Sequence, residues 1–398
     1  MRIALVTVSF PVASEAFIVN EIDALCGEGV SIDVFPMLQR PATDLTGRLQ
    51  PLLDNQQVRV RTPSSNPGAT DKQGAVLAAL WLVRHILPTL FYSPLEGIKA
   101  LVLLSRTLWI HRQIQHESYD LVHCAWGHHP ASVGALAKRF TPIPVTLFLG
   151  SYDLDRPGPL TRWLYHRADR VLTHAKVNRS LLRSRLGSGA EVSVIYRGVH
   201  LPRHPPSHTT SEDLQLVFAG RLTKQKGAMD ALETLRIVRA RCGDGKLLVA
   251  GDGPQARALR DQAQAAGISS WVRFTGFLPQ EDLFAELGRA HFLLLPSRDP
   301  GERLPNVVKE AMAMGAFPVV YPSAGLSELL GPEHDPFIVE SPETMAEAVL
   351  TAWRQPNVRQ ALVQSGYERI ERDFQIHQSA RQLAALWGSL QPMDGGKH

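Results

Sequence analysis

Three stretches bring together residue types that bind and move charged groups. In GRLTKQKG, Gly220 to Gly227, Arg221 and Lys226 share one loop that runs into a helix start. Free backbone N–H groups and the helix dipole already favour an anion there. Two added cations make a diphosphate the natural ligand, although a solvated basic loop would carry the same pair. In GDGP, Gly251 to Pro254, the glycines Gly251 and Gly253 with Ala256 fit GxGxxA, a weak dinucleotide signature. A nicotinamide enzyme would place an acid after the next strand to hold ribose hydroxyls, and Thr275-Gly276-Phe277-Leu278 has none. A tight strand-to-helix turn without a ligand explains GDGP equally well. In PSRDPGERLPNVVKEAMAMGAFPVV, Pro296 to Val320, Glu302 falls at a strand-to-helix loop and Pro305 suits a first helical turn. Glu310 follows Glu302 by eight positions. Two carboxylates accept hydroxyl hydrogen bonds while helix-start amides hold phosphate, which suits a sugar joined to a nucleotide diphosphate. Taken alone, two such glutamates are ordinary solvated residues.

The first half offers His123, His128 and His129, close to Trp126, at the end of a predicted strand. An imidazole there could bond a sugar hydroxyl. Equally, His123 could be a satisfied core residue and the His128-His129 pair a helix cap. Zinc is not expected, because no carboxylate or cysteine beyond Cys124 stands at ligand spacing.

The elements that must position these residues alternate from the start. Ile3 to Ser9 reads as a strand, and Ser14 as the cap of a helix through Phe17, Ile18, Ile22 and Leu25. Gly27 and Gly29 stop it before a second strand, Ser31 to Pro36, completing a βαβ unit. Leu121 to His123, Val145 to Leu149 and Arg170 to Thr173 continue the series, whose period favours a parallel sheet covered on both faces. After Val199, HLPRHPPSHTTSED has linker chemistry. A second βα series follows, with strands predicted at Leu214 to Ala219, Lys246 to Ala250, Val272 to Thr275, Phe292 to Leu295, Phe317 to Tyr321 and Phe337 to Val339. The expected architecture is α/β: a Rossmann-like domain over residues 1–200, a linker over 201–213 and a second Rossmann-like domain over 214–375. A last helix over 376–390 is expected to pack back on the first domain. Ligands in such sheets bind outside the carboxyl ends of the strands.

The 398 residues suffice for two domains, each with its own core, and 44% hydrophobic against 20% charged content excludes disordered and fibrous classes. Three cysteines with no CxxC pair point to a reducing compartment. Residues 1–200 carry a net charge of +6 and the remainder −2. Nucleic acid as a partner would require denser basic clusters with interleaved aromatics, so an anionic membrane surface or an acidic substrate is expected. MRIALVTVSFPVA is a poor signal peptide and a good buried strand. Gly74 to Ile110 is rich in Leu, Val and Trp but broken by Arg84, Pro88, Pro94, Glu96, Lys99 and Arg106, too often to cross a bilayer. Docking on the bilayer surface and covering of the sheet are both consistent with it.

GRLTKQKG, GDGP, TGF and the E-x7-E pair followed by AMAMGAFPVV, in this order over Leu214 to about Leu330, resemble the nucleotide-sugar-dependent retaining glycosyltransferases of family 4. SFPVASEAFIVNEI and HCAWGHHP add a looser likeness to bacterial exopolysaccharide enzymes of the colanic-acid type. The resemblance implies a GT-B fold, two Rossmann-like domains facing across a cleft. It implies that Arg221 and Lys226 neutralise the donor diphosphate, that Glu302 contacts sugar hydroxyls and that Glu310 binds the ribose. Gly227, Gly253, Phe277, Leu278, Arg303, Leu304 and Pro305 complete the expected donor site, with backbone near Phe277 and Leu278 at the base. Ser14, Glu15, His123, His128 and Asp153 are the first-domain candidates. Arg303 stands where many members have glycine, and TLFLGSYDLD keeps Asp153 but lacks the usual first-domain histidine. The expected partners are a nucleotide sugar and a saccharide or lipid-linked saccharide acceptor, with no cofactor or metal, in the cytoplasm or at the inner face of the plasma membrane. A nicotinamide-dependent oxidoreductase and a non-catalytic nucleotide-binding relative of the fold are the alternatives.

Overall fold

Short β-branched and leucine-rich runs between turn residues form parallel strands, and the amphipathic stretches between them form the crossover helices. The computed structural model describes residues 1–12, 16–39, 49–63, 72–154, 157–202 and 213–391. Ser14 and Glu15 lie outside them. The described chain forms two units, one running to Arg197 and resuming at His377, the other spanning Gly198–Ile376.

In the first unit the strands are β1 (Arg2–Ser9), β2 (Ser31–Leu38), β3 (Val58–Val60), β4 (Leu121–Cys124), β5 (Val145–Phe148), β6 (Arg170–Thr173) and β7 (Val192–Val194). They pair in parallel in the order β3-β2-β1-β4-β5-β6-β7. The helices are α1 (Ala16–Gly27), α2 (Leu49–Asp54), α3 (Lys72–Tyr92), α4 (Pro94–Val102), α5 (Leu104–His116), α6 (Pro130–Phe140), α7 (Pro159–Tyr165) and α8 (Lys176–Leu186). Ala4, Val6, Val122, Val145 and Leu147 are fully buried in the sheet's core.

The second unit repeats the plan with β8 (Gln215–Ala219), β9 (Lys246–Ala250), β10 (Val272–Gly276), β11 (Phe292–Leu295) and β12 (Phe317–Val320), ordered β10-β9-β8-β11-β12 and parallel. Its helices are α9 (Ala228–Cys242), α10 (Ala256–Ala265), α11 (Gln280–Arg289), α12 (Asn306–Met314), α13 (Leu326–Leu330), α14 (Pro342–Trp353) and α15 (Pro356–Asp373). The final helix, α16 (Ile376–Ser389), lies mostly in the first unit, where buried Trp387 sets its ring 5.1 Å from that of His123.

One expected strand is corrected. Phe337 to Val339 forms no strand: a tight helical turn over Pro332–Phe337 ends there, and Ile338 makes an isolated bridge to Val320. Pro336 has no N–H to give a ladder, and the Ser341 capping box starts α14 before one can grow. The three-residue strands β3 and β7 and the whole of α15 escaped the sequence reading.

In each sheet the strand order reverses once, between β1 and β4 and between β8 and β11. Loops leaving the carboxyl ends of strands on the two sides of such a point diverge and leave a crevice for a ligand. The loops in question are those after β1 and β4, and those after β8 and β11.

Candidate functional site

In the second unit the loop after β8 is GRLTKQKG, and the loop after β11 carries Glu302. Main-chain contacts join the two. Arg298 donates its N–H to the Gln225 carbonyl at 2.7 Å, and Gly227 (φ +75°) passes so close to Pro296 that a β-carbon there would overlap the Pro296 carbonyl. Only glycine combines that φ with that approach. Asp230, in the first turn of α9, accepts from Arg298 Nη1 at 2.6 Å and from the Tyr321 hydroxyl at 2.9 Å, tying in the loop after β12.

Within this frame Lys226 Nζ lies 2.9 Å from Glu302 Oε1 and 3.4 Å from Asp299 Oδ2. The Glu302 side chain is only 12% exposed, and its second oxygen, Oε2, is buried without a hydrogen-bond partner. A buried carboxylate oxygen with nothing to accept from costs free energy and is a ready acceptor for a hydroxyl. Arg221 is exposed at the start of the same loop. Leu304 is buried, Pro305 occupies the cap position of α12, and the amides just beyond have no partner within the helix. Glu310, half-buried on α12, accepts from Gln280 Nε2 at 3.1 Å. Burial pushes its carboxyl above the usual carboxylate range, a trend opposed by Gln280 and the Lys309 charge. Phe277 is exposed and Leu278 half-buried in the turn before α11. Arg303 is buried, and its guanidinium is spent on its own loop, donating to the Pro300 carbonyl and, at 3.2 Å, to that of Glu302.

The GDGP glycines approach the loop after β8 closely. Gly251 (φ +141°) donates to the Gly276 carbonyl at 2.7 Å and lies so close to Gly220 that any side chain would overlap the Gly220 carbonyl. A β-carbon at Gly253 would stand 2.6 Å from the Leu222 carbonyl oxygen. The loop after β9 thus buttresses GRLTKQKG by backbone contact.

In the first unit His128 Nε2 lies 2.9 Å from Asp153 Oδ1, and Gly127 donates its N–H to Asp153 Oδ2 at 3.0 Å. This pair joins the loops after β4 and β5. The hydrogen bond that His128 donates to Asp153 holds it above its ordinary pKa, partial burial working against it. His123 sits inside the sheet, bonded to Thr146 Oγ1 at 2.8 Å, and burial, helped by the Arg197 charge, pushes it down to about 3. It is a neutral, packed residue. His129 occupies the cap position of α6 without a side-chain cap bond.

Sequence reasoning passed over four side chains. Asp299 shares Lys226, and Asp230 with Arg298 ties the loops together. In the first unit the Arg197 guanidinium lies 4.0 Å from the Phe17 ring centre, 4.2 Å from that of Phe148 and 5.1 Å from that of Trp126. Asp299 and Arg298 stand inside the stretch already singled out, but nothing local marks their partners.

Two family models match the chain, Glycosyl transferases group 1 over residues 213–355 and Glycosyltransferase Family 4 over residues 38–203. The amylovoran biosynthesis glycosyltransferase AmsK of Erwinia amylovora is 26% identical, over 97% of this chain and 99% of its own length. The putative colanic acid biosynthesis glycosyltransferase WcaL of Salmonella typhimurium is 24% identical over the same shares. Among solved structures, Anabaena Alr3699/HepE in complex with UDP and glucose superposes with a TM-score of 0.68 at 16% identity, covering 98% of this chain and 100% of that one. With two parallel α/β units in this order and a family match in each, the chain belongs to the glycosyltransferases of group 1 and family 4 and has their GT-B fold.

Proposed function

We propose that the chain is a retaining hexosyltransferase that moves a sugar from a nucleotide diphosphate to a polysaccharide or lipid-linked saccharide in bacterial surface polysaccharide biosynthesis. The observation that carries this reading is the Lys226–Glu302 pair at the reversal point between β8 and β11, with Glu302 Oε2 buried and unpartnered. A sugar diphosphate answers both partners: phosphate takes the ammonium and a sugar hydroxyl donates to the carboxylate. As the glycosidic bond breaks, negative charge grows on the leaving diphosphate. Lys226 and Arg221 stabilise it as preorganised cations, which leaves no need for a divalent metal. Glu310 accepts from the ribose hydroxyls, and the first-turn amides of α12 hold a phosphate oxygen.

HepE bound to UDP and glucose supports the donor class, and the names of AmsK and WcaL support a polysaccharide acceptor. The likeness of the E-x7-E stretch to retaining family members supports the stereochemistry.

A panel of UDP-, GDP- and ADP-sugars, assayed for nucleoside diphosphate release with and without EDTA, tests the reading. One nucleotide class should be consumed at a rate EDTA does not change, and NMR of the product should show the donor's anomeric configuration. Consumption of no donor, loss of activity in EDTA or an inverted product would each overturn the corresponding part.

A further inference from the structure

Twelve large apolar side chains are exposed among the described residues, and eight of them lie between Val76 and Val102 on α3 and α4. On α3 the buried residues Ala78, Leu82 and Ile86 pack with Leu136 of α6. At about 100° per residue they occupy one side of the helix. Val76, Leu77, Leu80, Leu87 and Phe91 fall in an arc of about 100° on the opposite side. A helix apolar all round belongs in a protein core or against lipid, yet this one has a core on one side only. Phe91 is 87% exposed.

The chain then bends at Ser93 (φ −152°, ψ 82°), where Pro94 starts α4 and Gly97 packs against Leu90. Leu95, Ile98 and Val102, spaced three and four apart, give α4 an exposed apolar stripe of its own.

Charge identifies the occupant. Residues 72–102, which form α3 and α4, carry three Lys or Arg and a single acid, Glu96, which Lys99 holds at 2.7 Å. Arg84 lies exposed in the same arc as Leu80 and Leu87. A second copy would set one cationic apolar face against another, whereas an anionic bilayer answers both the charge and the apolar area. Among the described residues no helix is long and apolar enough to cross a membrane. A helix of this kind lies in the interface.

We propose that the exposed face of α3 and α4 docks the protein on an anionic phospholipid surface, with Leu80, Phe91 and Leu95 entering the acyl boundary and Arg84 meeting the headgroups. This inference stands apart from the donor chemistry, because vesicle binding is read with no sugar nucleotide present.

The full chain is sedimented with vesicles of phosphatidylcholine alone or mixed with phosphatidylglycerol, at low and high salt. Binding should appear with the mixed vesicles and weaken in salt. Arg84→Gln should reduce it about fivefold, and the triple variant Leu80→Gln, Phe91→Gln, Leu95→Gln by about tenfold or more, with circular-dichroism melting unchanged. No binding to the mixed vesicles at low salt, or equal binding by the triple variant, would overturn the proposal. So would light scattering that finds the wild type a dimer and the triple variant a monomer, since the face would then join two copies.

Discussion

Lys226 holds two carboxylates at once: Glu302 at 2.9 Å and Asp299 at 3.4 Å, both almost buried. A lone ammonium shared by two acids is poised to exchange partners. On the proposed function, a diphosphate arriving beside Lys226 would take the cation from Glu302 and leave both Glu302 oxygens as acceptors.

That exchange predicts a coupled pair. Lys226→Ala should slow turnover by on the order of 10² and also lower the melting temperature, because two nearly buried acids lose their cation. Adding Glu302→Gln to Lys226→Ala should recover part of the melting temperature and multiply the kinetic loss by less than the single effects imply. Steady-state kinetics and thermal melting of the four proteins measure both, and strictly multiplicative losses would show that the two side chains act separately.

The proposed division of labour between the glutamates predicts different ligands for different losses. Glu310→Gln should weaken binding of the free nucleoside diphosphate, which contains the ribose. Glu302→Gln should spare that binding and impair transfer from the whole donor. Calorimetric titration with the diphosphate, set beside kinetics with the sugar nucleotide, decides it; equal loss of diphosphate affinity in both variants contradicts the assignment.

Glu310 carries a stability cost as well. Its carboxyl is raised because burial disfavours the charged form. The folded state therefore binds a proton more tightly there than the unfolded chain does, so stability is lost as pH rises from the unfolded value of 4.5 through the raised folded value. Glu310→Gln, whose amide oxygen can still accept from Gln280, should melt higher than wild type at pH 8 and match it near pH 4.5. A difference that does not change with pH would mean that the ionised carboxylate is not the source of the cost.

Much of the layout is legible in the sequence because it is local. Gly220 to Gly227 follows an apolar run directly, and Pro305 marks a helix start whatever the rest of the chain does. What is not local stays hidden. Nothing near Asp230 announces Arg298, 68 positions away, because their meeting depends on β11 returning to lie beside β8. Arg197 shows the same limit: Phe17 of α1, Trp126 in the loop after β4 and Phe148 at the end of β5 reach it from three separate parts of the chain. The GDGP glycines fit both a ligand loop and a tight turn in sequence, and only the overlap with the Gly220 and Leu222 carbonyls shows the backbone approach that requires them. Length misleads too: Val58–Val60 and Val192–Val194 are true strands of three residues, while the more apolar Phe337 to Val339 is not. Pairing with a neighbour, rather than composition, separates them.

The buttress gives a sharp stability test. Gly251→Ala places a methyl group on the Gly220 carbonyl at a φ of +141°, so strain and overlap add, at a cost of about 3 kcal/mol. Gly267 also has positive φ, +68°, but nothing within 4 Å of a β-carbon, so Gly267→Ala should cost only about 1 kcal/mol. Urea denaturation followed by circular dichroism compares them, and equal midpoints would deny the close approach.

The His128–Asp153 pair makes a pH prediction that runs in the same direction as that for Glu310, stability being lost as pH rises, but here removing the group costs stability instead of adding it. Asp153 raises the His128 pKa from its ordinary 6.5, so the folded state holds that proton more tightly than the unfolded chain. The pair's contribution is complete below pH 6.5 and fades as pH rises through the folded value. Wild type should therefore melt above His128→Gln at pH 6, and the gap should close on the alkaline side. Imidazole NMR should show the His128 titration above 6.5 in wild type and moving down in Asp153→Asn, whose side-chain oxygen still accepts from the Gly127 amide and keeps the loop in place. Lys99 lowers the same pKa and Glu96 raises it, but they are lesser influences than the Asp153 bond. A His128 titration that does not respond to Asp153→Asn would assign the shift to Glu96 instead, and a melting gap constant from pH 6 to the alkaline side would mean that packing rather than charge joins the loops after β4 and β5.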